Sequence, residues 1–178
     1  MSFDHGHALI IGVGEYVHHP GSNIPKASED ARRIAGVLAD KKLCGYLTEH
    51  VSLLTDQQAS RDTVLQALSD LSNVGADDTV LLFFSGHGAM GTDGSYYLTT
   101  CDSRFSSGRV VKGTGISESE LLSFLRNVPA KKMLLLIHAC FAGAVSPHFG
   151  PNDEAEVESA SLPSAYASYI GSPWSLIS

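Results

Sequence analysis

Residues 80–88 read VLLFFSGHG and residues 133–143 read MLLLIHACFAG. Each is a short, wholly apolar run that breaks into small and polar residues. About five apolar residues without alternation suit a strand buried on both faces, as in a parallel sheet. In open parallel sheets, reactive groups gather beyond the carboxyl ends of the strands. Those ends here carry Ser85-Gly86-His87-Gly88 and His138-Ala139-Cys140. The reading predicts a histidine and a cysteine on one edge of one sheet.

Two further runs extend the pattern outward, Ala8–Val13 (ALIIGV) and Val51–Leu54 (VSLL). Helical spacing fills the gaps between runs. Residues 28–42 place Ala31, Ile34, Ala35 and Leu38 at helical intervals, with Ser28 as predicted N-cap. Residues 60–71 do the same with Val64, Leu65, Leu68 and Leu71 behind Ser60. Residues 117–128 place Leu121, Leu122, Leu125 and Val128 behind a Ser117/Glu120 capping box. Strand–helix alternation predicts an α/β domain with a parallel sheet. Residues 90–115 break the alternation and read as a small hairpin around 95–100 plus a mobile loop. Residues 144–178 contain no Lys or Arg and read as a long loop. Apolar residues return at Trp174, Leu176 and Ile177, as at the start of another strand.

Composition narrows the functional classes. A chain of 178 residues suits one domain, and a 43% hydrophobic content can build its core. Charged residues, 17%, are too few for a disordered chain. A net charge of −7 argues against a nucleic-acid footprint. Cys44, Cys101 and Cys140 are odd in number and widely spaced, which fits neither a disulfide framework nor a zinc ribbon. His5, His7, His18 and His19 lack a third ligand at a fixed offset. They read as exposed polar side chains, and no metal site is predicted. The polar N-terminus and the lack of any apolar run near ~18 residues predict a soluble, cytoplasmic chain without a membrane span. Gly12-Val13-Gly14 is followed by Val17 where a dinucleotide fingerprint needs glycine. P-loop, Gly-x-Ser-x-Gly and tyrosine-phosphatase patterns are also missing from the sequence.

The chemistry lies in the two strand ends. A cysteine needs a neighbouring base or imidazolium to present a thiolate at neutral pH. Glycines beside it let a substrate backbone pass closely and leave N–H groups free for an oxyanion. The two strand ends resemble the caspase and metacaspase family of cysteine peptidases. In that family, one apolar strand ends in Ser-Gly-His-Gly and a later one ends in a cysteine followed by a glycine. His87 and Cys140 are 53 residues apart, against about 50 in caspases. Ala8–Val13 looks like the first family strand. PKASEDA at 25–31 looks like the metacaspase segment ending in Asn-Asp-Ala. The resemblance spans roughly residues 8–143.

The resemblance implies a three-layer sandwich, with helices on both faces of a mostly parallel central sheet and a small hairpin insertion. Residues 1–143 correspond to the catalytic large-subunit domain. Residues 144–178 correspond to a linker and the start of a small-subunit region. An incomplete unit would leave an open sheet edge beside Met133–Ile137. The implied activity is cysteine endopeptidase, with Cys140 as nucleophile and His87 as its acid–base partner. The backbone N–H groups of Gly88 and Cys140 would bind the oxyanion. Asp30, Ser85 and His138 would line the substrate pocket. Metacaspases pair two pocket aspartates to hold Arg or Lys; Asp30 matches the first, and His138 replaces the second. Caspases carry glutamine there, and their aspartate-reading arginine has no match in this chain.

Other readings stand beside these. Cys140 also reads as a buried strand-end thiol. Asp30 also reads as a carboxylate favoured near a helix N-terminus. His138 also reads as a core-edge histidine, and the whole chain as a non-catalytic binding or scaffold module. No cofactor is predicted. Calcium activation is carried by the resemblance alone, without an identifiable site. Expected partners are a protein or peptide substrate, the downstream small-subunit segment and a regulatory protein, but neither nucleic acid nor membrane.

Overall fold

The computed structural model describes residues 2–140 and, beyond them, the backbone of three strands within 158–177. The predicted glycine-containing segment 141–143 and most of the predicted linker lie outside the described residues. Chain order is β1 (Gly6–Gly12), α1 (Pro25–Ala39), β2 (Val51–Thr55), α2 (Arg61–Asp70) and β3 (Thr79–Ser85). There follow β4 (Gly88–Met90), β5 (Tyr96–Leu98), β6 (Phe105–Ser106), β7 (Arg109–Val110), β8 (Ile116–Ser117), α3 (Glu118–Arg126) and β9 (Lys132–His138). The last strands are β10 (Glu158–Leu162), β11 (Ala165–Tyr169) and β12 (Trp174–Ile177).

The four predicted core strands form the parallel heart of one sheet, in the order β2-β1-β3-β9. Their side chains alternate between two apolar layers. Ala8, Ile10, Leu81 and Phe83 face one side and pack against Ala31, Ala35 and Leu38 of α1. Leu9, Ile11, Val80, Leu82, Phe84, Met133, Leu135 and Ile137 face the other side and pack against α2 and α3. Both faces of the sheet are covered, which is why the sequence shows unbroken apolar runs instead of alternation. The arrangement is the expected three-layer α/β sandwich. Gly12 lets α1 come close, because a Cβ there would lie 2.5 Å from Ala31 Cβ and 2.6 Å from Ala27 O.

Three expectations are corrected. Helix α1 starts at Pro25, with Ile24 at the N-cap, and Ser28 lies inside it, donating from Oγ to Pro25 O at 3.1 Å. Proline is favoured at the first helical position, where its missing N–H would lack a partner anyway, so it sets the start three residues early. Next, the edge of β9 is not open: β12 pairs with it in parallel, Trp174 opposite Met133 and Ile177 opposite Leu136. Finally, the presumed long loop holds two more strands: β11 pairs antiparallel with β12, and β10 with β11. Alternating Ser and Ala hid them, because short small-residue strands lack the β-branched signal. Helices α2 and α3 begin as expected, behind Ser60 and behind a Ser117/Glu120 capping box.

Residues 88–117 form two small antiparallel sheets, β4-β5-β8 and β6-β7. Much of the presumed mobile loop is thus ordered. Thr100 and Ser103 are fully buried. Ser103 Oγ accepts from Thr100 N at 2.8 Å and donates to Thr114 O at 2.6 Å, closing the loop onto itself. Among the described residues, no helix is long and apolar enough to cross a membrane.

At the amino ends of the strands, far from the His87 edge, His7 departs from its expected exposed state, whereas His5 and His18 are exposed as expected. His5 Nδ1 lies 2.9 Å and His7 Nε2 3.3 Å from the two oxygens of Asp78. The His7 ring stacks on His50 with centroids 4.0 Å apart, and the buried Nδ1 of His50 has no partner among the described residues. Burial and the neighbouring His50 lower the pKa of His7 from 6.5, outweighing Asp78. Above that ordinary value, folded and unfolded chains both hold His7 neutral. Below it the unfolded chain takes up the proton first, so stability falls with pH. Asp78, whose carboxyl is held low chiefly by His5, loses its contribution only in stronger acid. Thermal melts should therefore show a falling midpoint from pH 7 to pH 5, and His50→Gln should flatten that slope. An unchanged slope in His50→Gln would remove the stacked pair from the explanation.

Candidate active site

Strands β3 and β9 run side by side in parallel, with Thr79 opposite Lys132 and Ser85 opposite His138. Past these ends the chain continues two residues to His87 on one side and two to Cys140 on the other. The register offset between the strands, 138 − 85 = 53, equals the separation of His87 and Cys140. Each residue therefore follows the end of its strand by the same two positions, at the carboxyl edge of the sheet. Backbone bonds tie that edge together: Gly86 N donates to His138 O at 3.2 Å and Val13 N to Ser85 O at 2.8 Å.

His87 is held at both its backbone and its ring. Its N–H donates to the Tyr16 hydroxyl at 2.9 Å, and its Nε2 lies 2.7 Å from the carbonyl oxygen of Ser22. A carbonyl only accepts, so Nε2 carries the proton and Nδ1 keeps a free lone pair. The Ser22 carbonyl is presented by the turn after β1, where Ser22 N donates to His19 O at 2.9 Å and Ile24 N to Gly14 O at 2.8 Å.

Cys140 is an exposed, free thiol at the mouth of the site. Its carbonyl accepts a 2.7 Å hydrogen bond from the Tyr96 hydroxyl. Burial, and secondarily the Cys140 charge, push the Tyr96 pKa well above the ordinary tyrosine value, so this donor keeps its proton. Gly88 fits between them: a Cβ there would overlap the Tyr96 hydroxyl and lie 2.6 Å from Cys140 O. The backbone of Gly88 thus abuts that of Cys140, and only glycine permits it.

Ser85 is buried, and its Oγ lies 3.3 Å from Nδ1 of the exposed His138. Asp30 is half-buried in the second turn of α1. No hydrogen bond joins it to His87, Cys140, Ser85 or His138 among the described residues. The structure thus brings together Ser85 with His138 and Gly88 with Cys140, and joins Asp30 to neither pair by a hydrogen bond. The other thiols differ: Cys101 is buried, its pKa raised to about 11 mainly by burial, and Cys44 is exposed. Among the described residues, no group of three or more His, Cys, Asp or Glu is placed to hold a metal ion.

The caspase domain as a sequence family matches residues 5–170, nearly the whole chain. The chain belongs to the caspase-domain family. Its fold is similar to that of protein GSU0716 from Geobacter sulfurreducens, with a TM-score of 0.58 at 21% identity, over 76% of this chain and 50% of that one. It is also similar to pro-sf-caspase-1, with a TM-score of 0.51 at 16% identity, over 92% of this chain and 55% of that one. The chain therefore spans about half the length of these solved structures. No curated protein matches it significantly.

Four residues of this caspase-domain site escaped sequence reading: Tyr16, Ser22, Tyr96 and Thr99. Ser22 acts through its carbonyl, which carries no side-chain signal. Tyr16 was legible only as an aromatic residue stranded in a loop of glycine, histidine and proline. The tight fit at Gly88 yields an expected outcome. Gly88→Ala should destabilise the domain by about 1–3 kcal/mol in denaturant unfolding, as overpacking does. Adding Tyr96→Phe should recover part of that loss, because it removes one of the two colliding oxygens. No recovery would place the strain elsewhere.

Proposed function

We propose that this caspase domain is a cysteine endopeptidase in which Cys140 is the nucleophile and His87 its proton carrier. The observation that supports the reading is the placement of His87 and Cys140 two residues beyond paired strand ends, combined with the Ser22 carbonyl that engages His87 Nε2. With Nε2–H engaged, Nδ1 is the nitrogen available to take the Cys140 proton. The thiolate then attacks the substrate carbonyl carbon. The N–H groups of Gly88 and Cys140 face the developing oxyanion, where such donors act strongly in a dry site. The protonated His87 delivers its proton to the leaving amine as the peptide bond breaks. A water molecule, losing a proton to His87, then hydrolyses the thioester and restores the thiol. No step calls for a cofactor.

The substrate is a protein or peptide. A preference for Arg or Lys before the scissile bond rests on Asp30, a half-buried carboxylate that could pair with a guanidinium in bidentate fashion. His138, occupied by Ser85, stands where a second carboxylate would strengthen that preference. Because the chain spans about half the length of the structures it resembles, we place the remaining wall of the cleft in a small-subunit segment of the same polypeptide or of a second chain.

Cys140→Ala and His87→Ala should each reduce cleavage of a fluorogenic peptide library by on the order of 1,000-fold or more while preserving the melt. In the parent, the library should favour Arg or Lys, and Asp30→Ala should erase that bias. Cleavage by Cys140→Ala at the parent rate would refute the nucleophile. A library preferring Asp would refute the basic pocket. Absence of turnover in every form, with Cys140 unlabelled by peptide electrophiles, would favour the scaffold reading. Turnover should also rise when the small-subunit segment is supplied to residues 1–178. Full activity of 1–178 as a monomer would overturn the incomplete-cleft proposal.

A further inference from the structure

Tyr16 is nearly inaccessible, and Thr99 is completely so. Neither belongs to the reacting pair, yet both converge on His87. The Tyr16 hydroxyl accepts from His87 N at 2.9 Å. Thr99 Oγ1 lies 3.1 Å from that same hydroxyl and 2.8 Å from His87 O. The protons can be assigned by counting. Thr99 has one hydroxyl hydrogen, and a carbonyl oxygen only accepts, so Thr99 donates to His87 O. Tyr16 in turn donates to Thr99 Oγ1. The outcome is a closed ring running from His87 N–H to Tyr16 to Thr99 and back to the carbonyl of His87. Thr99 N adds a second donor to His87 O at 3.0 Å. Burial raises the Tyr16 pKa, against the pull of the hydrogen bond from His87 N–H, so the hydroxyl stays a neutral member of the ring.

The other end of Tyr16 holds the second support of the imidazole. Its backbone N–H donates to Asn23 Oδ1 at 2.9 Å, and its carbonyl accepts from His19 N at 3.1 Å. These bonds close the turn whose Ser22 carbonyl holds His87 Nε2 at 2.7 Å. The Tyr16 ring meanwhile lies 5.1 Å from the imidazole, tilted by 37°. One buried residue thus braces the backbone of His87 from below and the acceptor of its ring from the side.

We propose that Tyr16, through Thr99 and Asn23, is the positioning residue that sets the direction of the His87 imidazole. The inference rests on the peptidase reading for its catalytic consequence, though not for its geometry. Misaiming a reacting group by about 1 Å can cost on the order of 100-fold in rate.

The test pairs kinetics with a readout independent of turnover. Tyr16→Phe removes one oxygen and keeps the ring. It should lower kcat about 10- to 100-fold with KM within about twofold, and shift the acidic limb of the kcat/KM pH profile. Thr99→Val should do the same, and Thr99→Ser, which keeps the hydroxyl, should restore most of the activity. In parallel, the imidazole 15N shifts of His87 are recorded in the Cys140→Ala chain with and without Tyr16→Phe. The parent should show Nε2–H as the dominant tautomer, and Tyr16→Phe should move the shifts toward an even mixture with an altered titration midpoint. If the parent cleaves no peptide even with the small-subunit segment supplied, the peptidase reading fails and the nitrogen spectra alone decide the positioning. Unchanged spectra in Tyr16→Phe overturn the proposal, whether or not activity falls. Retention of kcat and the pH profile within twofold in an active enzyme overturns it as well.

Discussion

Backbone hydrogen bonding between β3 and β9, in parallel and with Ser85 opposite His138, is the constraint on which the site depends. A slip of one residue would turn every side chain of one strand to the opposite face. Either Leu82 and Phe84 of β3 or Leu135 and Ile137 of β9 would then leave the layer beneath α2 and α3. The burial of these residues therefore sets the register, and the register brings the strand ends that precede His87 and Cys140 side by side. The hydrophobic core and the placement of His87 and Cys140 after neighbouring strand ends are two results of one alignment.

Parallel strands buried on both faces leave polar chemistry only one outlet, the loops beyond their carboxyl ends. Around His87 and Cys140 the chain sets backbone groups. Ser22 offers a carbonyl, Gly88 a bare backbone, and Cys140 a carbonyl held by Tyr96. Neutral donors and acceptors of this kind orient an imidazole without committing it to a charge. The arrangement suits a group that must both take and return a proton.

The opposite end of the sheet is built differently. His5 and His7 crowd one carboxylate, Asp78, and the buried nitrogen of His50, stacked on His7, has no partner among the described residues. Its consequences are for folding in mild acid. The two ends share the strands but no side chains, so stability and chemistry can titrate separately.

Sequence alone determined the four core strands, the two capped helices α2 and α3, and the placement of His87 and Cys140 at neighbouring strand ends. All of these follow from local signals: unbroken apolar runs, helical spacing, and Ser or Ser/Glu caps. It also carried the family, because Ser-Gly-His-Gly and the cysteine fall at a characteristic separation. Tertiary structure alone decided the rest. The start of α1 at Pro25 and the strands hidden in a Ser/Ala-rich tail depend on packing or pairing that no short window reveals. The convergence of His5, His7, His50 and Asp78 joins residues up to 73 positions apart. The hold on His87 comes from Tyr16 and Ser22, 71 and 65 positions away. Such contacts involve a buried hydroxyl and a main-chain carbonyl. Their meaning lies in where the fold brings them, because any residue supplies a carbonyl and only the folded chain gives it a direction.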